Sequence, residues 1–139
     1  MSDDYGARLN QLPGWIREMG ISILTATADE VTCEWEVAER HHQPDGIVHG
    51  GVHCGVVETL CSIGAAAVAM PRSQRVVGLE NTTSFVRAVR SGKLTGTARP
   101  VTRGRTTQIW EAWIRDREGN LVAQGRVRLL CVDAARPLG

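Results

Sequence analysis

The chain has 139 residues and a mass of 15.1 kDa, which is enough for one domain with a buried core. Its formal net charge of +1 gives no overall attraction to nucleic acid or to an anionic membrane surface. The polar, acidic start, Met1-Ser2-Asp3-Asp4, lacks the pattern of a secretory signal peptide. The four cysteines form no CxxC pair, so we expect reduced thiols in a cytoplasmic protein.

The first third of the chain predicts a short helical segment and two strands. Residues 7–19 have helical spacing of apolar groups, interrupted by Pro13-Gly14. Residues 21–26 are typical of a strand, and residues 31–37 alternate strictly between apolar and polar, which indicates a strand with one buried face. Residues 41–51 are rich in His, Pro and Gly and predict an ordered loop.

The loop leads into a long helix of small and apolar residues, which we predict to end near Met70-Pro71. Its apolar residues cover more than one face, so the helix should be enclosed on most sides. The segment 51–70 could be mistaken for a membrane span. It contains Glu58, however, and a charge near the centre of a bilayer is costly. We therefore interpret the segment as the buried helix of a soluble protein.

Four further strands are predicted over 75–89, 94–101, 106–115 and 121–132, the last two joined by a hairpin turn over 116–120. No internal repeat or linker is present, so we predict a single domain over 1–139. One long helix wrapped by a curved antiparallel sheet is an α+β arrangement. Such a sheet leaves its edges and outer face exposed, and we expect oligomerisation to cover them.

Glu58 is the only carboxylate between Asp45 and Glu80, and it lies in the middle of the apolar helix. A carboxylate in such surroundings suits general-base or nucleophilic catalysis, although exposure through a gap or an interface ion pair is the alternative. The preceding loop delivers Gly50 and Gly51 to the helix N-terminus, where unpaired N–H groups point outward. Glycine lets a ligand carbonyl approach these groups, so the pattern is typical of an oxyanion hole or of a tight turn without a ligand.

The segment from Gln43-Pro44 through His49-Gly50-Gly51, followed by Glu58-Thr59-Leu60 and Ser62, resembles the signature of PaaI-type hot-dog-fold acyl-CoA thioesterases. The chain is most similar to the branch of the 4-hydroxybenzoyl-CoA and 1,4-dihydroxy-2-naphthoyl-CoA thioesterases, and the likeness extends over residues 21–130. The resemblance implies the hot-dog fold, hydrolysis of an acyl-CoA thioester, and a homodimer with shared active sites, assembled as a dimer of dimers. Coenzyme A is then part of the substrate, and no separate cofactor, metal ion, nucleic acid or membrane partner is expected.

The resemblance also implies roles for individual residues. Glu58 would attack the thioester carbonyl or activate a water molecule. The Gly50 N–H would hold the developing oxyanion beside the Gln43 amide, and His49 would orient the thioester. Ser62, one helical turn after Glu58, would position the water or the carboxylate. Glu58 would come from one chain, and the wall with Gln43 and Gly50 from the other.

Contacts to coenzyme A are implied for Gly78, Phe85, Val86, Arg87, Ala88, Thr102, Arg103, Gly104, Arg105, Thr106 and Thr107. This region is basic, with no acidic residue between Glu80 and Glu111, and Arg and Lys are natural donors to phosphates. A solvated basic face is the alternative. The naphthoyl-CoA branch has two histidines and Arg-Pro where this chain has residues 85–88, so we expect an aryl or medium-chain acyl group without a closer assignment.

Three other functions fit parts of the sequence. His49 and His53 are one helical turn apart with His41-His42 nearby, but the order of residues is not the HExxH of zinc hydrolases. Hot-dog hydratases carry a catalytic histidine where this chain has Gln43, which cannot exchange protons near neutral pH. A non-catalytic acyl-CoA-binding module would be fused to a second domain and would not need Glu58.

Overall fold

The computed structural model describes residues 4–139, so the expectation for Met1-Ser2-Asp3 lies outside the described residues. These residues form three α-helices and six strands: α1 (Asp4–Gln11), α2 (Trp15–Glu18), β1 (Ser22–Ala26), β2 (Val31–Val37), α3 (Gly50–Ala69), β3 (Gln74–Phe85), β4 (Gly92–Arg103), β5 (Thr107–Arg115) and β6 (Leu121–Asp133). Short 3-10 turns cover Glu39–His41 and Met70–Arg72.

The six strands form one antiparallel sheet in the order β1-β2-β4-β5-β6-β3. Register shifts interrupt β3 between Gly78 and Glu80 and β4 between Pro100 and Thr102. Such bulges bend a strand and increase its twist, and the sheet curves around α3, which contacts all six strands. The predicted α+β arrangement of one long helix in a curved antiparallel sheet is confirmed.

Helix α3 has one side that its own chain covers only in part. Twelve of its twenty residues are buried against the sheet. The others lie at helical spacing and form a stripe, here called the open stripe: Gly50, Gly51, Cys54, Gly55, Glu58, Thr59, Ser62 and Ala66. By length and composition the segment Gly50–Arg72 could span a membrane, but 61% of its apolar window is buried inside the fold, as in the core helix of a soluble protein.

Two of the three strand tryptophans face α3, as the alternation along a strand requires. Trp35 and Trp110 are buried, whereas Trp113 is half-buried on the outer face of the sheet. The Trp110 ring lies against the helix backbone at Gly64, where an added Cβ would be 2.3 Å from Cζ3 of the ring. Glycine at this position therefore permits the close approach of β5 to α3.

Strand boundaries agree with the prediction to within two residues, except at the end of β3. The strand predicted over 75–89 ends at Phe85, because the N–H groups of Val86 and Arg87 both turn to the carbonyl of Val122, at 2.8 and 3.1 Å. The segment predicted to be helical over 7–19 forms α1, which begins earlier, and α2. The break expected at Pro13-Gly14 is confirmed, with Gly14 at a φ of 122°.

The hairpin turn predicted over 116–120 is confirmed. The Asp116 carboxylate accepts hydrogen bonds from the N–H groups of Glu118 and Asn120 at 3.0 and 2.9 Å. The Asn120 side-chain amide also donates to Asp116, and these bonds to the ionised form lower the pKa of its carboxyl.

Candidate active site

Glu58 lies on the open stripe in the middle of α3 and is half-buried. Its Oε2 accepts a hydrogen bond from Nδ2 of Asn81 on β3 at 3.1 Å. An added Cβ at Gly78 would be 2.3 Å from Oε1 of Glu58, so the backbone of β3 approaches the carboxylate as only glycine allows. The carboxylate is thus held against β3 and remains open to a reactant, rather than enclosed by the apolar groups expected from the sequence.

Asn81 is a site residue that no motif in the sequence indicated. Its Nδ2 also donates to the Cys54 carbonyl at 3.1 Å, and Oγ1 of Thr83 donates to its Oδ1 at 2.7 Å. These contacts fix which end of the amide faces Glu58. Asn81 is 23 residues beyond Glu58 and on a different element, so only the pairing of strand and helix brings the two together.

The N-terminus of α3 has one free donor. His49 is the N-cap, and its Nδ1 accepts from the Gly51 N–H at 2.8 Å while its carbonyl accepts from the Val52 N–H at 2.9 Å. The Gly50 N–H forms no hydrogen bond within residues 4–139, so it is free at the positive end of the helix dipole. Because Nδ1 of His49 is an acceptor, the neutral ring carries its proton on Nε2.

Gln43 presents a second donor beside Gly50. Its Oε1 accepts from the N–H of Asp45, which leaves the Nε2 amide group without a partner among the described residues. Both residues line a cavity of about 290 Å³. The other lining residues are Ile47, Val48, His53, Phe85, Val86, Arg87 and Ala88. The two donors implied for the oxyanion hole and the stretch 85–88 implied for coenzyme A therefore share one cavity.

Phe85 forms the rim of this cavity. An added Cβ at Gly50 would lie 2.7 Å from Cε2 and Cζ of the ring, so the ring packs directly over the start of α3. Phe85 and Val86 are 57% and 56% exposed. Two large apolar groups therefore face outward beside the free N–H of Gly50.

His53 forms the floor of the cavity and is only 3% exposed. Its ring lies 6.1 Å from Trp35 and 6.2 Å from Phe85, measured between centroids. Burial lowers the pKa of His53 to about 4, so the imidazole is neutral at pH 7. The sequence suggested this residue only as a candidate zinc ligand.

The histidines do not gather around a metal position. Within residues 4–139, no three His, Cys, Asp or Glu side chains are arranged to hold a metal ion. Both ring nitrogens of His41 have backbone partners, the Ala38 N–H at 2.9 Å and the Met19 carbonyl at 2.8 Å. His42 contacts the Arg90 carbonyl at 2.8 Å.

Within one chain, the predicted site residues fall into three places. The first place is the cavity at Gly50, and the second is Glu58, eight residues further on and about 12 Å away along the helix axis. Ser62 lies one turn beyond Glu58 on the open stripe, and its side chain forms no hydrogen bond to residues 4–139. The turn at 102–107 lies near the start of β3, where Nε2 of Gln74 donates to the Arg105 carbonyl at 3.0 Å. The twelve residues of β3 separate this turn from Phe85 by roughly 30–35 Å.

The basic face expected between Glu80 and Glu111 is partly neutralised by acidic residues from outside that interval. Arg103 pairs with Asp29 at 2.7 Å, Arg99 with Glu30 at 2.8 Å, and Lys93 with Glu34 at 3.3 Å. The sequence did not predict these acidic partners, because β2 and the β1–β2 turn are distant from β4 along the chain and become its neighbours only in the folded sheet. In the described part of the chain, Arg87 and Arg105 form no ion pair and remain the stronger candidates for phosphate contacts.

A long helix packed in a curved antiparallel sheet is the arrangement of the hot-dog fold. The family model described as Thioesterase superfamily matches residues 45–123. The chain belongs to the thioesterase superfamily, whose reaction is the hydrolysis of thioesters. The resemblance noted in the sequence is thereby confirmed.

Solved structures and sequence relatives agree with this membership. Thioesterase HI1161 of Haemophilus influenzae superposes with a TM-score of 0.89 at 29% identity, covering 100% of this chain and 96% of that one. AziG of S. sahachiroi superposes with a TM-score of 0.84 at 38% identity, covering 88% and 99%. The 1,4-dihydroxy-2-naphthoyl-CoA hydrolase of Listeria monocytogenes is 35% identical over 108 residues, covering 78% of this chain and 87% of that protein. The hot-dog fold is confirmed.

Proposed function

We propose that the chain hydrolyses acyl-CoA thioesters carrying an aryl or medium-chain acyl group, with Glu58 as its catalytic carboxylate. One observation carries the proposal: α3 bears a free N–H at its start, next to the Gln43 amide, and an open carboxylate held by β3 at its middle. The similarity to a naphthoyl-CoA hydrolase supports coenzyme A as the thiol component.

Hydrolysis forms a C–O bond at the thioester carbonyl carbon and breaks the C–S bond. Negative charge develops on the carbonyl oxygen, where the Gly50 N–H and Nε2 of Gln43 would donate hydrogen bonds, with Nε2–H of His49 orienting the thioester. Glu58 would take a proton from the attacking water, held by Ser62, and return it to the departing CoA thiolate. Alternatively, Glu58 would attack the carbonyl and form an anhydride that water then opens.

The outer edge of β3 would complete the site by pairing with a second copy of the chain. Among the described residues, β3 has a hydrogen-bonded neighbour on one side only, and Gly78 to Ser84 are mostly exposed, Leu79 to 48%. A long edge strand with apolar side chains is prone to form backbone hydrogen bonds with a strand of another chain. Antiparallel pairing centred on the segment from Gly78 to Phe85 would place Gly78 opposite the partner's Phe85. Glu58, which contacts Gly78, would then approach the partner's Gly50, which contacts that phenylalanine.

The same pairing gathers the remaining predicted residues. It would place the partner's Gln74 opposite the residues just beyond Phe85 of the first chain. Because Gln74 contacts the turn at 102–107 of its own chain, the turn of one chain would lie near residues 85–88 of the other. The separate places of one chain would thus become one continuous site for an elongated thioester. We propose a homodimer with two such sites, and a dimer of dimers that covers the outer face near Trp113.

The cytoplasm is the compartment that we propose for this activity. All four cysteines within residues 4–139 are free thiols, and three of them, Cys33, Cys61 and Cys131, are buried. Such thiols persist in a reducing compartment.

Thiol release from a panel of aryl and alkyl CoA esters tests the proposal. Wild type should turn over at least one of them, and Glu58→Gln should lower kcat by at least about 100-fold, in line with the loss of a general base. Glu34→Ala is the matched control, because it removes a carboxylate from the ion pair with Lys93, away from α3. Unchanged turnover in Glu58→Gln would refute the assignment.

The same panel separates the alternatives. A wild-type protein that binds CoA esters without releasing thiol would be a non-catalytic binding module. Addition of water to crotonyl-CoA without thiol release would indicate a hydratase.

A further inference from the structure

Gln43 lies in a loop, so the position of its side chain depends on a few hydrogen bonds. The Gln43 N–H donates to the Ile47 carbonyl at 2.8 Å, and the Gly46 N–H donates back to the Gln43 carbonyl at 2.9 Å. These bonds form a tight turn, in which Gly46 has a φ of 77°. The side chain of Gln43 is held from within the turn, because its Oε1 accepts from the Asp45 N–H.

Arg90, just beyond the cavity residues 85–88, supports this turn from outside. Its Nη1 donates to the Asp45 carbonyl at 2.7 Å. An added Cβ at Gly46 would lie 3.1 Å from the same nitrogen, so the guanidinium packs directly against the turn. Asp45 thus has its carbonyl bonded to Arg90 and its N–H bonded to the Gln43 side chain. The backbone of Asp45 therefore links Arg90 to the Gln43 amide.

The backbone beside Arg90 is bonded to the same loop. Nε2 of His42 contacts the Arg90 carbonyl at 2.8 Å, and the Val48 N–H donates to the Val89 carbonyl at 2.9 Å. Because a carbonyl can only accept, His42 carries a proton on Nε2. The loop is therefore held before Gln43, within the turn and after it.

No ion pair accounts for the position of the Arg90 side chain. It is exposed, and within residues 4–139 it pairs with no carboxylate. Ordering a long exposed side chain is unfavourable in entropy, whereas a charged donor forms a stronger hydrogen bond to a carbonyl than a neutral donor does. Without this bond the peptide groups of Asp45 would be free to rotate, and the N–H that holds the Gln43 amide would move with them.

We propose that Arg90 is a positioning residue for the reaction, which keeps Nε2 of Gln43 directed into the cavity beside the Gly50 N–H by fixing the backbone of Asp45. The inference rests on the proposed thioesterase function and on Gln43 as a donor to the oxyanion. A preorganised donor stabilises the charge that develops on the carbonyl oxygen, whereas a displaced donor does not. Loss of Arg90 should therefore lower kcat, through Gln43, and leave the binding of coenzyme A unchanged.

Steady-state kinetics of Arg90→Ala, on the CoA ester that wild type hydrolyses best, test this role. We expect kcat to fall by about 10- to 100-fold, which is part of the cost of losing an oxyanion-hole donor, and KM to change by less than about 3-fold. Arg115→Ala is the matched control. Arg115 is also exposed and also donates to a turn carbonyl, that of Gly119 at 3.1 Å, but it does not line the cavity. This variant should leave both constants unchanged.

A double-mutant cycle with Gln43 separates positioning from a general loss of structure. In a Gln43→Ala background there is no amide to orient, so Arg90→Ala should cause no further fall in kcat. Guanidinium ion, added below denaturing concentrations, should restore part of kcat to Arg90→Ala and none to the double variant. Arg90→Lys keeps the charge and one donor and should lose less activity. It replaces Arg90→Ala in the cycle if the alanine variant does not fold.

Other results would overturn the inference. Equal losses from Arg90→Ala with and without Gln43 would show that Arg90 acts independently of the amide. A raised KM at unchanged kcat, seen with acyl-CoA but not with the phosphate-free N-acetylcysteamine thioester, would show that Arg90 binds CoA phosphates instead. Full activity of Gln43→Ala would overturn the inference and leave the thioesterase function intact, whereas hydrolysis of no CoA ester by wild type would overturn both.

Discussion

The side-chain amide of Asn81 donates to Oε2 of Glu58 at 3.1 Å and, through the same nitrogen, to the Cys54 carbonyl at 3.1 Å. Nδ2 of Asn81 is thus hydrogen-bonded both to the backbone of α3 and to the Glu58 carboxylate. Because the Cys54 carbonyl and the Glu58 carboxylate can only accept, the amide cannot turn over without losing both of these bonds, while its Oδ1 accepts from Thr83 at 2.7 Å. This arrangement, with Oε1 packed against the backbone of Gly78, holds one rotamer of Glu58 against β3.

Asn81→Ala should therefore lower kcat for the best CoA ester by about 3- to 30-fold, because the carboxylate loses its orienting donor. KM should change little, since Asn81 is placed beside the carboxylate rather than in the cavity. Thr83→Val, which removes only the outer contact, should give a smaller loss. Steady-state kinetics on dimers of verified mass check this, and an unchanged kcat in Asn81→Ala would contradict it.

Gly78→Ala should displace the carboxylate, since the added Cβ would meet Oε1 of Glu58 at 2.3 Å. We expect kcat to fall by about 100-fold, as misplacement by one ångström is costly to catalysis. The control is a double-mutant cycle. In a Glu58→Ala background the clash is absent, and Gly78→Ala should cause no further loss of the residual rate. Equal factors in both backgrounds would show that Gly78 acts independently of Glu58.

Gly64→Ala should destabilise the fold by about 1–3 kcal/mol, because its Cβ would be 2.3 Å from the buried Trp110 ring. Gly6→Ala is the matched control, since its nearest neighbour, Cγ2 of Ile23, would be at an ordinary 3.4 Å. Urea unfolding followed by tryptophan fluorescence measures both. The prediction would be wrong if the two variants had the same free energy of unfolding.

The buried His53 should make stability sensitive to acid. Its pKa is about 4 in the folded protein against 6.5 for an ordinary histidine, so the unfolded chain binds more protons between these values. The free energy of unfolding should therefore fall as the pH drops from about 6.5 to about 4, by up to about 3 kcal/mol. Urea titrations of wild type and His53→Leu at pH 7 and pH 4.5 isolate this contribution, because the other groups cancel. Equal losses in the two proteins would exclude it.

Cys33 and Cys61 should resist thiol reagents in the native protein. Burial raises the pKa of the Cys33 thiol to about 12 and that of Cys61 further, and the thiolate is the reactive form. Both should react with a disulfide reagent at pH 8 only after denaturant is added. Cys54, half-buried on the open stripe, should react first. Peptide mapping after timed labelling distinguishes the three, and early labelling of Cys33 would contradict the structure.

The elements that the sequence predicts well are those with local patterns. The alternation from Val31 to Val37 and the small-residue helix follow from spacing along one element, and the glycine at position 50 marks a helix start that the structure reproduces. Contacts between different elements, by contrast, leave no local pattern in the sequence. Asn81 contacts Glu58, and Arg103 contacts Asp29, only because elements that are distant in sequence lie side by side in the fold. A motif can locate the carboxylate, whereas its support and the neutralised arginines require the sheet order.

The twelve residues of β3 have three structural roles. The strand pairs with β6 at one edge of the sheet, its Gly78 and Asn81 contact the Glu58 carboxylate, and its free side is where we propose that another copy pairs. A substitution in this strand can therefore reduce turnover in three ways. It can lower the stability of the monomer, displace the Glu58 carboxylate, or weaken the proposed dimer. For the proposed dimer, dilution alone should mimic the third effect, so we expect the specific activity to depend on protein concentration as well as on sequence.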